Sequence, residues 1–250
     1  MTDRELELVV AGRHGDPHRV LGLHDGVVRA YRPDASAMRL LRDGAEPLDM
    51  KTVHPAGVFE ARLDGDADDT GYELEAVYSR GGSDVAFRFH DPYRMWPTLG
   101  EMDLHLFGEG RHHRLWEVLG AHCRVHDGVE GVAFAVWAPN ARAVRVVGDW
   151  NFWDGRVHPM RSLGSSGVWE LFIPGVGAGQ RYKYELVAAD DRLILKTDPM
   201  AFYMEQPPAT ASVVVGDRTH EWGDSAWLEE RARADLLDRP MAVYETHLGS

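Results

Sequence analysis

A chain of 250 residues, 44% of them hydrophobic, is long enough for two domains and can bury real cores, which excludes global disorder. Twenty-seven basic against forty acidic residues leave a net charge of -13. A nucleic acid or an anionic membrane needs a basic footprint, so neither is expected as a partner, whereas a neutral polymer such as a glucan needs none.

In chain order, Thr2 and Glu5 form a capping box that opens a short helix reaching about Ala11, with Gly12 and Gly15 ending it. Asp16-Pro17 is a second start signal, for a single turn to Val20. Strands follow at Val27 to Tyr31, Ala37 to Leu41, Val58 to Leu63, Tyr72 to Tyr78 and Val85 to Phe89. Arg32-Pro33-Asp34, Asp43-Gly44, the acidic run Asp64 to Asp69 and the hairpin turn Arg80-Gly81-Gly82-Ser83 separate them. Short strands at this spacing predict a β-sandwich, closed by Asp91-Pro92-Tyr93, with Pro97 at a junction. Gly100 to Gly110 reads as a turn-rich entry, and Leu115, Val118 and Leu119 lie at helical spacing.

Val132, Phe134 and Val136 alternate with Ala133, Ala135 and Trp137; Pro139-Asn140 breaks the run and Ala143 to Val147 resumes it. The pattern predicts a half-buried antiparallel hairpin. Gly148-Asp149 ends the second strand and Trp150-Asn151-Phe152-Trp153-Asp154-Gly155 follows. Three large rings among turn-type residues are hard to bury together. Rings held at a surface beside amides and carboxylates suit a sugar, whose CH faces stack while its hydroxyls find polar partners. The competing reading folds one or two rings back onto the sheet as core. A strand-rich copy ending near Val215 leads to a connector with helical content over Glu221 to Asp238. Met241 to Leu248 then alternates as a last strand.

An internal repeat runs through the chain. His18-Arg19-Val20-Leu21-Gly22 is echoed by Trp116-Glu117-Val118-Leu119-Gly120, and Tyr31-Arg32-Pro33-Asp34-Ala35 by Trp137-Ala138-Pro139-Asn140-Ala141. Gly57-Val58-Phe59-Glu60 is echoed by Gly167-Val168-Trp169-Glu170, Tyr72-Glu73-Leu74-Glu75 by Tyr182-Lys183-Tyr184-Glu185, and Asp91-Pro92 by Asp198-Pro199. Matches in the same order imply two similar sandwiches in tandem. The aromatic loop has no counterpart in the first copy, where Leu40-Leu41-Arg42-Asp43-Gly44 takes its place, so a ring-based site belongs to the second.

Other chemistry is weaker. His112, His113, His122, Cys123 and His126 cluster without a zinc-ligand spacing. Asp149 and Asp154 flank the loop in turn contexts where Asp bonds backbone. Glu245 and His247 would share a strand face, with no role assigned. The single Cys123 cannot form an internal disulfide. No apolar run approaches the ~20 residues of a membrane span, and Met1 to Gly15 lacks a signal-peptide core. The expected location is the cytoplasm, and no cofactor or metal is called for.

Several motifs together resemble bacterial glycogen branching enzyme (1,4-α-glucan branching enzyme): VWAPNARAVRVVGDWNFWDGR, GVWELFIPG, RYKYEL, KTDPMAFYMEQPPATASVV, the terminal MAVYETHLGS and the DPHRVLGLH opening. The resemblance covers nearly the whole chain. It implies an all-β arrangement of two tandem immunoglobulin-like sandwiches plus a segment holding the first strand of a missing (β/α)8 barrel. The expected domains are an N-terminal domain over 1–98, a family-48 carbohydrate-binding module over 99–220, and a connector with barrel strand over 221–250. Such a barrel needs about 250 residues of its own. The family's nucleophile aspartate, general-acid glutamate and transition-state-stabilising aspartate come from later barrel strands, and no position here matches them. The whole enzyme cuts an α-1,4-glucan and transfers the chain to a 6-hydroxyl by retaining chemistry; these residues alone are expected to be inactive.

What the resemblance leaves to this chain is glucan contact, with the missing barrel as its other partner. Trp153 matches the family's sugar-stacking tryptophan and Lys183 its glucan-contacting lysine, and Trp150 and Asn151 complete the expected site. A second stacking tryptophan, typical after the turn near Asp190-Asp191, is replaced by Arg192-Leu193. Competing readings are a module that only orients the barrel, a stand-alone glycogen-binding adaptor, and the front of a debranching enzyme.

Overall fold

The computed structural model describes residues 2–63, 71–216, 220–235, 238 and 240–249, so the predicted acidic run Asp64 to Asp69 lies outside the described residues. Thr2 opens helix α1 (Asp3–Val10), with the Thr2 N–H donating to Glu5 Oε2 at 2.8 Å and the Glu5 N–H to Thr2 Oγ1 at 3.3 Å. The first lobe then lays down β1 (Gly22–His24), β2 (Val27–Tyr31), β3 (Ala37–Arg42), β4 (Leu48–Asp49), β5 (Lys51–His54), β6 (Val58–Arg62), β7 (Tyr72–Arg80) and β8 (Ser83–His90). They form two antiparallel sheets, ordered β1-β2-β6-β5 and β4-β3-β7-β8. Val28, Ala30, Phe59 and Ala61 from the first meet Met38, Leu40, Leu74 and Ala76 from the second in one core.

Helix α2 (Glu101–Gly108) occupies the predicted turn-rich entry. Asp103 Oδ2 accepts the Gly100 N–H at 3.2 Å, and Leu104 and Phe107 pack onto Leu99, Leu119, Ala135 and Val168. The second lobe follows as β9 (Gly120–His126), β10 (Val129–Trp137), β11 (Ala143–Gly148), β12 (Arg161–Ser162), β13 (Val168–Pro174), β14 (Arg181–Val187), β15 (Leu193–Lys196), β16 (Tyr203–Met204) and β17 (Ser212–Val213). Its sheets are ordered β12-β13-β10-β9 and β11-β14-β17-β16, with β15 also on β14. Val132, Phe134, Leu171 and Ile173 face Val144, Val146, Tyr182 and Tyr184 across the core.

The predicted β10–β11 hairpin does not form. β10 is already paired on both sides, with β9 and β13, and β11 pairs with β14 in the opposite sheet. The Pro139-Asn140 turn therefore crosses between sheets, with the Ala138 N–H bonded to Gly167 O and the Arg142 N–H to Val187 O. Nor is β10 half-buried: α2 and its neighbours cover its outer face, so Val132 through Val136 are all buried.

The repeat survives as repeated hydrogen bonds. Tyr72 donates to Asp91 Oδ2 at 2.7 Å and Tyr182 to Asp198 Oδ2 at 2.6 Å; Asp91 Oδ1 takes the Tyr93 N–H and Asp198 Oδ1 the Met200 N–H. Gly57 and Gly167 both have positive φ and both accept from the strand end facing them, Arg32 N–H and Ala138 N–H. The correspondence extends two residues past the sequence match, to His24 and His122, which donate to Leu21 O and Leu119 O.

The two lobes are not separate beads. Val9, Val20, Leu21, Tyr31, Val58 and Tyr93 join the second lobe's core, and Met1–Gly216 is one compact unit. The second unit, Asp217–Ser250, contains α3 (Ser225–Arg233), where Arg231 lies 5.1 Å over the Trp227 ring. No strand forms over 241–247, contrary to the predicted one: alternation alone does not make a strand without a ladder partner, and Met241, Val243 and Tyr244 are exposed.

Candidate functional site

The aromatic loop leaves β11 where the β11–β14 register sets Val147 opposite Lys183 and Gly148 opposite Tyr182. A side chain on Gly148 would strike the Trp150 ring, so glycine is what lets Trp150 fold back. The Trp150 ring stacks on Phe134, centroids 5.2 Å apart at 29°. Asn151, 5% exposed, is the loop's internal brace. Its Oδ1 accepts the Gly148 N–H at 2.9 Å, and its Nδ2 donates to Val146 O and to His158 Nδ1, each at 3.0 Å.

With Trp150 and Asn151 turned inward, Phe152 and Trp153 are driven outward in left-handed backbone, φ 54° and 63°. For bulky residues that conformation costs on the order of 1–3 kcal/mol each and persists only where the surroundings impose it. Here the Trp153 N–H bonds Gly148 O at 3.1 Å and the Asp154 N–H bonds Asn151 O at 3.0 Å. Phe152 is 88% exposed and Trp153 38%.

A polar frame borders the rings. The Asp149 carboxylate accepts the Arg181 backbone N–H at 2.9 Å and two bonds from its guanidinium. The Arg181 side chain is the main cause holding the Asp149 carboxyl below the usual carboxylate range. Arg181 continues to Glu205 at 3.3 Å, and Lys183 Nζ donates to Thr210 Oγ1 at 2.6 Å. Asp154 caps the Arg156 N–H and pairs with the Arg156 guanidinium. Burial works against the Asp154 charge, but these bonds outweigh it and its carboxyl value falls.

The first lobe grips the loop's far end. Tyr93 donates to Val157 O and Pro159 O at 3.3 Å, Arg32 to Val157 O at 3.4 Å, and Arg156 pairs with Asp34 at 3.1 Å.

Thus the structure starts the loop that carries Trp153 at the end of β11, next to the Val147–Lys183 pair, and turns Trp150 and Asn151 inward. Thr210 and the Arg181–Asp149 link carry no local sequence signal; only the tertiary fold assembles them. At the position lacking a second tryptophan, Arg192 pairs with Asp190 at 2.5 Å and Leu193 is exposed. His112, His122 and His126 find Asp103, Leu119 O and Trp96 O, and Cys123 Sγ lies 3.7 Å from Val215 O. Among the described residues no group of three or more His, Cys, Asp or Glu side chains could hold a metal ion.

Residues 118–201 match the family model of carbohydrate-binding module 48 (isoamylase N-terminal domain), and residues 2–93 that of the alpha-1,4-glucan branching enzyme GlgB N-terminal domain. The 1,4-alpha-glucan branching enzyme GlgB of Myxococcus xanthus is 54% identical over 99% of this chain and 34% of its own length. The enzyme of the same name from Frankia casuarinae is 51% identical over 98% of this chain and 31% of its own length. The chain spans about a third of the length of the curated relatives it matches. Among solved structures, the pullulanase of Anoxybacillus sp. LM18-11 complexed with maltotetraose aligns at 15% identity over 88% of this chain and 27% of its own, with a TM-score of 0.35, a likeness too slight to carry an argument.

Proposed function

We propose that this chain, the counterpart of the N-terminal portion of bacterial 1,4-α-glucan branching enzymes, works as the glucan-contacting, non-catalytic front of such an enzyme. The two family models and the relatives named 1,4-alpha-glucan branching enzyme support that reading. Residues 1–98 are then an N-terminal domain, 99–220 the carbohydrate-binding module, and 221–250 the connector and the segment that becomes the first strand of a (β/α)8 barrel once that barrel's other strands are there to pair with it. That barrel is its structural partner. It supplies the carboxylates that cut an α-1,4-glucan and pass the chain to a 6-hydroxyl, a retaining reaction. Cytoplasmic action is in keeping with the single cysteine and with the absence, among the described residues, of a helix long and apolar enough to cross a membrane.

The observation that carries glucan contact is the pair of outward rings held in left-handed backbone on the loop that leaves β11 just past its Val147–Lys183 pair. Trp153 is the stacking platform. Lys183, oriented by Thr210, supplies a donor to sugar hydroxyls. Trp150 and Asn151 act from beneath, by fixing the loop. Affinity electrophoresis in glycogen gels tests this. The chain is retarded by glycogen, Trp153→Ala runs free, and both melt alike because Trp153 is not core. Equal mobility of both proteins with and without glycogen defeats the contact reading. Incubation with amylose should yield no new α-1,6 linkages.

A further inference from the structure

Strand β8 ends its sheet, ordered β4-β3-β7-β8, and among the described residues no strand pairs with its outer edge. Arg80 faces Ser83 across a two-residue Gly81-Gly82 loop in which both glycines have positive φ, 59° and 86°. The closing pair of such a hairpin is a hydrogen-bonded pair, and bonded pairs alternate along the ladder. Ser83, Val85, Phe87 and Phe89 therefore bond to β7, while Asp84, Ala86 and Arg88 direct their backbone N–H and C=O groups outward. Among the described residues none of those outward groups meets a backbone partner outside its own ladder. The strand is also apolar where an edge is normally guarded: Val85 is 48% exposed and Phe87 52%.

An antiparallel copy of β8 can add to this edge in several registers, and charge selects among them. With Ala86 opposite the partner's Ala86, Asp84 stands opposite the partner's Arg88, and Arg88 opposite the partner's Asp84. Shifts that centre the pairing on Asp84 or Arg88 oppose like charges, which destabilises a sheet. The Ala86-centred register closes every outward backbone group of Asp84, Ala86 and Arg88 in bonded pairs. It also lays Val85 against the partner's Phe87 on the apolar face. The contacts already present, the Arg88–Glu73 ion pair and the hydrogen bond from the Ser79 hydroxyl to Asp84, lie within the chain and need not break.

We propose that β8 is a self-complementary edge through which two copies of this chain associate about a two-fold axis at Ala86, joining two four-stranded sheets into one. Two-fold symmetry is the commonest closed arrangement for such an interface. The inference stands apart from glucan binding.

Sedimentation equilibrium of the whole chain, from about 1 to 200 μM, tests it. The average mass should climb with concentration from the 28.0 kDa monomer toward twice that value. Ala86→Pro removes an outward N–H without touching the β7 ladder, a place where an edge strand tolerates proline. It should raise the dimer dissociation constant at least tenfold. Asp84→Arg and Arg88→Asp should each weaken association, and the double exchange should restore it. Melting temperature and retardation by glycogen are followed alongside to show that each variant is folded. A mass fixed at 28.0 kDa throughout overturns the proposal. So does a folded Ala86→Pro variant that associates as the parent does, or a double exchange no better than either single change.

Discussion

Asn151→Ala separates bracing the loop from touching the sugar. The asparagine side chain makes three buried bonds: from the Gly148 N–H, to Val146 O and to His158 Nδ1. Truncation leaves all three partners without it. Each such loss costs about 1 kcal/mol, and more where no water replaces the amide. The expected destabilisation is about 3 kcal/mol, a substantial fraction of the roughly 5–15 kcal/mol a domain possesses. With a urea slope near 3 kcal/mol/M, that lowers the unfolding midpoint by about 1 M. Glycogen retardation should vanish as well, because Phe152 and Trp153 keep their left-handed backbone only while the brace holds. Trp153→Ala should lose retardation while keeping its urea midpoint. A variant of Asn151 that unfolds at the parental urea concentration refutes the reasoning. So does a Trp153→Ala protein as unstable as Asn151→Ala.

Acid should loosen the same region. Burial is the main cause pushing the His158 and His18 rings well below the usual histidine value, so both are neutral when folded. The unfolded chain titrates near 6.5, so below about that pH it binds more protons than the native state. Their stabilisation is complete above the unfolded value and is lost as pH falls through it. The urea midpoint should drop between pH 7.5 and 5.5; a flat profile counts against the assignment. Asp91 and Asp198, whose carboxyl values burial raises, work the other way, and only as pH approaches the carboxylate range. Tyr72→Phe and Tyr182→Phe each delete a bond to a buried carboxyl, worth about 1.5–3 kcal/mol when charged. Denaturation curves should show the smaller loss for Tyr182→Phe, because the Tyr184 hydroxyl also lies 3.4 Å from Asp198.

Local rules made part of this fold legible. The Thr2–Glu5 box, the Gly81-Gly82 hairpin and the Asp91-Pro92 turn each place their determinants within a few residues, and each formed as read, whereas Asp16 opens its single turn without a side-chain cap bond. The tandem repeat was legible because equivalent positions need equivalent hydrogen bonds. The β10–β11 linkage was misread because alternation says that a strand has two faces but not which sheet it joins. Helix α2 was missed because Glu101 to Gly108 has a weak apolar stripe and ends in glycines; its helicity comes from packing Leu104 and Phe107 against the second lobe. Within the site, the aromatic loop announced itself through ring density. Which rings turn inward depends on Gly148 and on Phe134 from another strand, both tertiary facts.

The fusion of the lobes explains why a loop in the second copy needs the first. Arg145 on β11 is buried, and its guanidinium donates to Ala11 O at 2.8 Å and Gly12 O at 3.0 Å while pairing with Glu185 at 2.8 Å. A cation at those carbonyls suits the C-terminal end of α1, where the helix dipole is negative. Gly12, in left-handed backbone, leaves room that a side chain would take from the guanidinium. From the other side, Arg161 pairs with Glu170, which is fully buried, and donates to Met95 O at 3.1 Å. Separating the lobes would leave that buried pair facing lost partners and would uncover the apolar side chains of Tyr31, Val58 and Tyr93. It would also free Val157 and Pro159 from Arg32 and Tyr93 at the foot of the aromatic loop. The first lobe has no counterpart of the aromatic loop in its sequence, yet it holds one end of the segment whose other end Asn151 braces. A strained loop keeps two exposed rings in place only when both ends are fixed, and here the two ends are fixed by different copies of the repeat.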